Sequence, residues 1–132
     1  MRNSIKVLTI LLLLLSSLEA SHVRWLSDFD KAHQLALKEG KNLMVLLIES
    51  RESQEILSSS FMNQNYIEDI NTNFIPVLII KDQKRSYPIE MLYTLEYPSL
   101  FILDEKELFV CAPMRGEITS SRLKPYLKRC VK

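Results

Sequence analysis

The side chains in this chain whose placement could support chemistry are few: Ser50 and Ser53, Cys111 and Cys130, His22 and His33. Ser50 and Ser53 bracket the tetrapeptide Ser50, Arg51, Glu52, Ser53, which stands where an apolar run ends and helix-forming sequence begins. A serine at such a point has two uses. Its hydroxyl can accept from a backbone N–H two or three residues ahead and cap the helix, or it can attack a substrate if a base lies within reach. The available bases are His22, near the start of the mature chain, and His33, inside a separate helical stretch, so capping is the better-supported role. Neither histidine has a partner at metal-ligand spacing, so no metal site is expected, and no cofactor is expected either.

The element that positions this tetrapeptide is the stretch just before it. Asn42 to Ile48 is a nearly unbroken apolar run, short and partly β-branched, as a strand covered on both faces should be. No Gly or Pro separates it from Ser50 to Leu57, which reads as the opening turns of a helix. In open α/β sheets the crevice outside the carboxyl end of a central strand is where sites are usually built.

The 132 residues suit one domain. With 47% hydrophobic and 25% charged residues the composition is that of a globular protein. Seventeen Lys and Arg against sixteen Asp and Glu leave no overall basic field of the kind a phosphate backbone demands, so nucleic acid is not an expected partner.

Residues 1–20 read as a signal peptide: Arg2 and Lys6 form the positive flank, Val7 to Leu15 the apolar core, and Ser16 to Ala20 a polar end closing on a small residue. The apolar core is about half of the roughly 20 residues that span a bilayer. Contact with a membrane is expected only if this leader stays uncleaved as an anchor, an alternative kept open because Leu18 is larger than the residue preferred two positions before the cut. The expected location is periplasmic or secreted, with residues 21–132 as one domain.

Within that domain, Ser27 precedes a first helix, Asp28 to Glu39, with Gly40 as its stop. The strand Asn42 to Ile48 follows, then the helix from Ser50, bent near Asn63 to Asn65 and continued by Tyr66 to Asn71. Phe74 to Ile80 is a second buried strand. Pro88 to Leu95 reads as a short helix with Pro in its first turn. Ser99 to Leu103 is a third strand, and Asp104 to Lys106 turns the chain into a fourth, Leu108 to Ala112, giving an antiparallel hairpin. Gly116 ends it, and a helix from about Ser120 to Cys130 closes the chain. The resulting class is α/β: a mixed central sheet of about four strands with helices on both faces.

That order, with its landmarks, resembles the thioredoxin-like fold, and more closely the secreted thioredoxin-like proteins that open with a tryptophan and a helix. The residues that carry the likeness are Trp25 with Glu39, Gly40 and Lys41; Leu43 to Ile48; Asn73 to Val77; Tyr97 and Pro98 before Leu100 to Asp104; and Gly116 before the last helix. The resemblance implies that Pro98 is the cis-proline that faces the active site. It also implies, counting back from Phe61, that the two positions of the Cys-x-x-Cys pair are held by Ser50 and Ser53. The cysteine motif works because a helix N-terminus stabilises a thiolate. A serine hydroxyl there stays protonated and forms no disulfide.

The cysteines are elsewhere. An extended chain from Cys111 to Gly116 travels roughly 16 Å at about 3.3 Å per residue, and a helix from Ser120 or Ser121 to Cys130 returns roughly 14 to 15 Å at about 1.5 Å per residue. If the helix folds back along the edge strand, Cys130 comes level with Cys111. Leu123, Leu127 and Cys130 share one helical stripe, which points Cys130 inward. A Cys111–Cys130 disulfide is the expectation, structural rather than catalytic because neither cysteine opens a helix. The alternative is a buried Cys111 and a lone thiol at a frayed end.

Without sulfur at the usual positions, the resemblance implies a function that uses the surface alone. The loop before the proline presents backbone groups to an extended peptide, as in strand addition. Here that loop is Leu95, Glu96, Tyr97 and Pro98, opposite Ser50 and Arg51; Met91, Tyr93 and Met114 suit an adaptable surface, with the core as their alternative place and the favoured one for Met91. The expected function is a non-catalytic binding or assembly factor whose partner is a protein or extended peptide of the cell envelope. The alternative is a thiol:disulfide oxidoreductase, or an accessory to one, that uses Cys111 and Cys130.

Overall fold

All seven residues of Asn42–Ile48 are buried, and this strand, β1, is the axis on which the sheet is built. In the computed structural model the described residues are 22–50, 64–81 and 92–131, with Lys6. Around β1 they form α1 (Phe29–Glu39), α2 (Gln64–Asn73), β2 (Phe74–Ile80), β3 (Ser99–Leu103), β4 (Met114–Arg115) and α3 (Ser120–Arg129). The sheet order is β2-β1-β3-β4. β1 runs parallel to β2, with Asn42 opposite Phe74 and Ile48 opposite Ile80, and antiparallel to β3, with Leu43 opposite Leu103 and Leu47 opposite Ser99.

Period-two alternation along β1 divides the core in two. Leu43, Val45 and Leu47 face one side, where Phe29, Ala32 and Ala36 of α1 cover them. Met44, Leu46 and Ile48 face the other, packed with Ile67 and Ile70 of α2 and with Leu123, Tyr126 and Leu127 of α3. Each fully buried side chain of this size contributes about 1.5–3 kcal/mol, so both layers hold the central strand in register. A mixed four-stranded sheet with helices on both faces is thus the observed architecture.

Local signals explain the ends of the elements. Asp28, not Ser27, caps α1: its Oδ1 accepts from Lys31 N–H at 3.2 Å, and its backbone is extended at φ −107°. The aspartate satisfies an open donor and also sets a negative charge at the positive end of the helix. Gly40 closes α1 at φ 65°, a left-handed conformation glycine adopts without steric cost. On the free side of β2, Leu26 N–H donates to Pro76 O at 2.9 Å and Leu78 N–H donates to Leu26 O at 2.8 Å. Pro76 therefore turns its missing donor outward, where no ladder bond to β1 is lost.

Two expectations change. The fourth strand is Met114–Arg115 rather than Leu108 to Ala112. Phe109 makes an isolated antiparallel bridge to Leu103 and Val110 N–H donates to Ile102 O at 2.9 Å, after which the ladder lapses and resumes only where Leu100 meets Met114. Pro113 has no N–H to give a ladder, which is a physical reason for the gap. Residues 92–95, expected to end a short helix, are not helical. Residues 51–63 of the expected helix, the start of the short helix and the leader, apart from Lys6, lie outside the described residues.

Candidate functional site

The register of β1 and β3 decides which loops meet. Because Leu47 is opposite Ser99, the exit of β1 toward Ser50 and the entry to β3 through Tyr97 and Pro98 lie at the same end of the sheet. β2 ends there too: Lys81 N–H donates to Ile48 O at 2.9 Å, and Lys81 Nζ lies 5.2 Å from the centre of the Tyr97 ring. A cation over an aromatic face is attracted by the ring's quadrupole, so the lysine holds Tyr97 against the rim. The Tyr97–Pro98 peptide bond is cis.

The loop ahead of Pro98 is shaped by two buried hydroxyls. Thr94 Oγ1 donates to Glu96 O at 2.9 Å and accepts from Glu96 N–H at 3.1 Å, while Ser99 Oγ donates to the same carbonyl at 2.7 Å. The two hydroxyl oxygens are themselves 3.0 Å apart. Behind the proline, Gly116 N–H donates to Pro98 O at 2.9 Å. Gly116 sits at φ 81°, a left-handed conformation that calls for glycine; a Cβ there would come within 3.1 Å of Glu96 Oε2, the end of an exposed side chain that can move aside. Among the described residues the backbone N–H and C=O of Tyr97 take no partner.

Of the sequence-derived candidates, the structure places Ser50, Tyr97 and Pro98 at this rim, each half-buried. Arg51, Glu52, Ser53 and Met91 lie outside the described residues. Tyr93 is exposed, as the surface role requires, but Met114 is buried in β4 and belongs to the core. Its assignment changes because the last strand begins at Met114, which pairs with Leu100. Thr94, Ser99 and Lys81 were not singled out in the sequence. The Thr-x-Glu spacing is a turn signal in which a hydroxyl bonds backbone two residues on, and it could have marked the loop.

His33 is unavailable to Ser50. Its Nε2 meets Glu105 O at 2.7 Å and its Nδ1 lies 3.2 Å from Glu107 Oε1, in the turn after β3. That turn is at the Leu103 end of β3, separated from the Ser99 end by the strand's length, on the order of 15 Å at about 3.3 Å per residue. Among the described residues no group of His, Cys, Asp and Glu could hold a metal ion.

Cys111 and Cys130 form a disulfide with Cα atoms 5.9 Å apart. Cys130 is fully buried at the end of α3, where its N–H donates to Tyr126 O at 3.1 Å. The partial negative charge of a helix C-terminus opposes thiolate formation, the reverse of the setting that activates a redox cysteine. Beside it, the Tyr126 hydroxyl reaches Leu100 O at 3.4 Å. Burial pushes the Tyr126 pKa up to about 12, while the Arg129 charge and a hydrogen bond with the backbone of Met114 pull more weakly the other way.

The sheet order, the helices on both faces and the rim at the β1 exit define a protein with a thioredoxin-like fold. No family model and no curated protein sequence matches the chain. Among solved structures it is similar to a DsbH oxidoreductase, with a TM-score of 0.64 over 84% of this chain and 86% of that one, at 10% identity. At that identity the likeness speaks for the fold and not for the chemistry. Among the described residues no helix is long and apolar enough to cross a membrane.

Proposed function

We propose that this chain is exported and binds an extended segment of another envelope protein at the Ser50–Pro98 rim, without thiol–disulfide exchange there. The observation that carries the reading is the backbone of Tyr97, without a partner among the described residues, beside a cis-proline at the end of the sheet where Ser50 lies. An extended peptide can take up the Tyr97 N–H and C=O as an added strand, and the Tyr97 ring and Lys81 flank it. Ser50 contributes a hydroxyl that donates or accepts but cannot relay electrons. Residues 1–20, with their basic flank and short apolar core, support export.

The test is fluorescence anisotropy with an unstructured reduced polypeptide, run beside an insulin-reduction assay. Saturable binding with no reductase activity is expected. Activity that persists after both cysteines are removed would sink the non-catalytic half of the reading, and absence of binding to any extended polypeptide would sink the other half.

The second reading, an oxidoreductase working through Cys111 and Cys130, draws support from the bonded pair itself. Against it stands the full burial of Cys130 at a helix end that disfavours thiolate. Cys111→Ser separates the two: loss of disulfide exchange in this variant would favour the enzyme.

A further inference from the structure

The charges of this chain are segregated in a way its near-neutral total conceals. Residues 111–132 hold six cations, Arg115, Arg122, Lys124, Lys128, Arg129 and Lys132, against the single anion Glu117, whereas residues 21–110 hold nine cations against fourteen anions. Arg115 lies on β4 and the next four lie on α3, and all five are exposed. None forms an ion pair with a described carboxylate, whereas His33 pairs with Glu107 and Lys41 with Glu39. The Arg122 guanidinium donates to the carbonyls of Glu117 and Arg115, which fixes it without neutralising it.

These cations flank two furrows on either side of α3. Lys124 and Lys128, one turn apart, rim a furrow of about 240 Å³ whose lining includes Tyr66, Phe74, Leu127 and Val131, with Asp69 also on it. Arg122 and Arg129 rim a wider furrow of about 420 Å³ with Pro113, Pro125 and Tyr126. Each furrow therefore sets a pair of cations above apolar side chains. Lys128 and Arg129 also complement the negative end of the helix, but Arg115, Arg122 and Lys124 lie away from that end and gain nothing from it.

We propose that the exposed side of α3 docks on an anionic membrane surface, with phospholipid headgroups at the cations and lipid methylenes entering the furrows. The cations are spread over both sides of a ridge and do not converge on one pocket, so their partner needs negative charge and no fixed register. A fluid layer of acidic headgroups meets that need, and its apolar portion fills furrows that a solvated acidic peptide would leave empty. The leader with the apolar run Val7 to Leu15 reads as an export signal, and the contact through α3 does not depend on its being kept. The sequence pointed to the membrane through that leader alone; α3 adds a second and separate contact.

Co-sedimentation of the full chain with phosphatidylcholine vesicles, with or without about 30% phosphatidylglycerol, tests this. Preference for the anionic vesicles is expected, and it should vanish near about 0.5 M salt, where the screening length falls to a few ångströms. Binding to phosphatidylcholine alone reports the apolar leader and cancels in the comparison. Each cation at such a surface is worth about fivefold in affinity, so Lys124→Glu with Lys128→Glu should weaken anionic binding at least about tenfold. Lys124→Gln with Lys128→Gln should give a smaller loss with an unchanged melting curve, which excludes unfolding as the cause. Lys31→Glu with Lys38→Glu makes the same charge change on α1, across the sheet, and should alter binding less than about twofold. An equal loss in the α1 variant, no preference for anionic vesicles, or binding to polyglutamate while the vesicles stay bare would each overturn the proposal, the last by assigning this face to an acidic protein.

Discussion

The rim at the end of β1 and the cross-link at the end of α3 give opposite settings to the atoms they hold. At the rim Ser50 is half-buried, past the carboxyl end of the central strand, at the same end of the sheet as the Tyr97 backbone, which has no partner among the described residues. At the cross-link Cys130 is sealed in the core, at a helix end whose partial charge discourages a thiolate. The rim is accessible and carries a serine hydroxyl; the cross-link carries the sulfur, with Cys111 half-buried and Cys130 enclosed. The contrast teaches that possession of two cysteines says little about redox chemistry until their setting is known.

The strongest way to break this contrast is to put sulfur back at the rim. Ser50→Cys with Ser53→Cys should raise insulin reduction from background, because the sequence expects a helix to start there, and a thiol in that setting with its pKa near 7 carries about tenfold more thiolate at neutral pH than a free cysteine. A silent double variant would mean that the rim lacks more than sulfur. Next in size is the cross-link: Cys111→Ser with Cys130→Ser should cost about 3 kcal/mol for a separation of 19 residues. That corresponds to a fall of about 10 °C in melting temperature, with peptide binding kept below the transition. Should binding fall as well, rim and cross-link would not be independent.

Smaller effects sharpen the comparison. Tyr97→Ala should weaken peptide affinity about tenfold while shifting stability by less than about 1 kcal/mol, since the ring is only half-buried at the edge of the core. Tyr126→Phe should cost about 1 kcal/mol at neutral pH through the lost hydrogen bond to Leu100 O. The same variant tests an alkaline limit. The folded chain holds the Tyr126 proton to about pH 12, above the ordinary tyrosine value of 10.0. Stability from this group is therefore complete below pH 10 and lost as pH rises through 12. Denaturant titrations at successive alkaline pH values should show that loss in the parent and a shallower one in Tyr126→Phe.

Much of the scaffold was legible because it rests on local pattern. Asn42 to Ile48 and Phe74 to Ile80 are unbroken apolar runs and became strands with those bounds. Gly40 stopped α1 where a left-handed residue was needed. The disulfide was legible through length, since strand rise and helix rise bring residues 111 and 130 level. The fourth strand was misplaced because Leu108, Phe109 and Val110 have the composition of a strand, yet all three are exposed and the ladder resumes only after Pro113. Composition registers β preference; it does not register whether a neighbour supplies partners. Thr94 and Ser99 went unread because their value lies in a shared carbonyl, that of Glu96, which becomes common to both only once the loop closes.

By itself, then, the order of residues determined the α/β class and the bounds of the buried strands, since each depends on neighbours within a few positions. Tertiary structure decided the pairing of Leu47 with Ser99 that brings β1's exit and Pro98 together, and the tie of His33 to the turn after β3. Those outcomes depend on contacts between residues far apart in the chain, which register and packing select and no local pattern records.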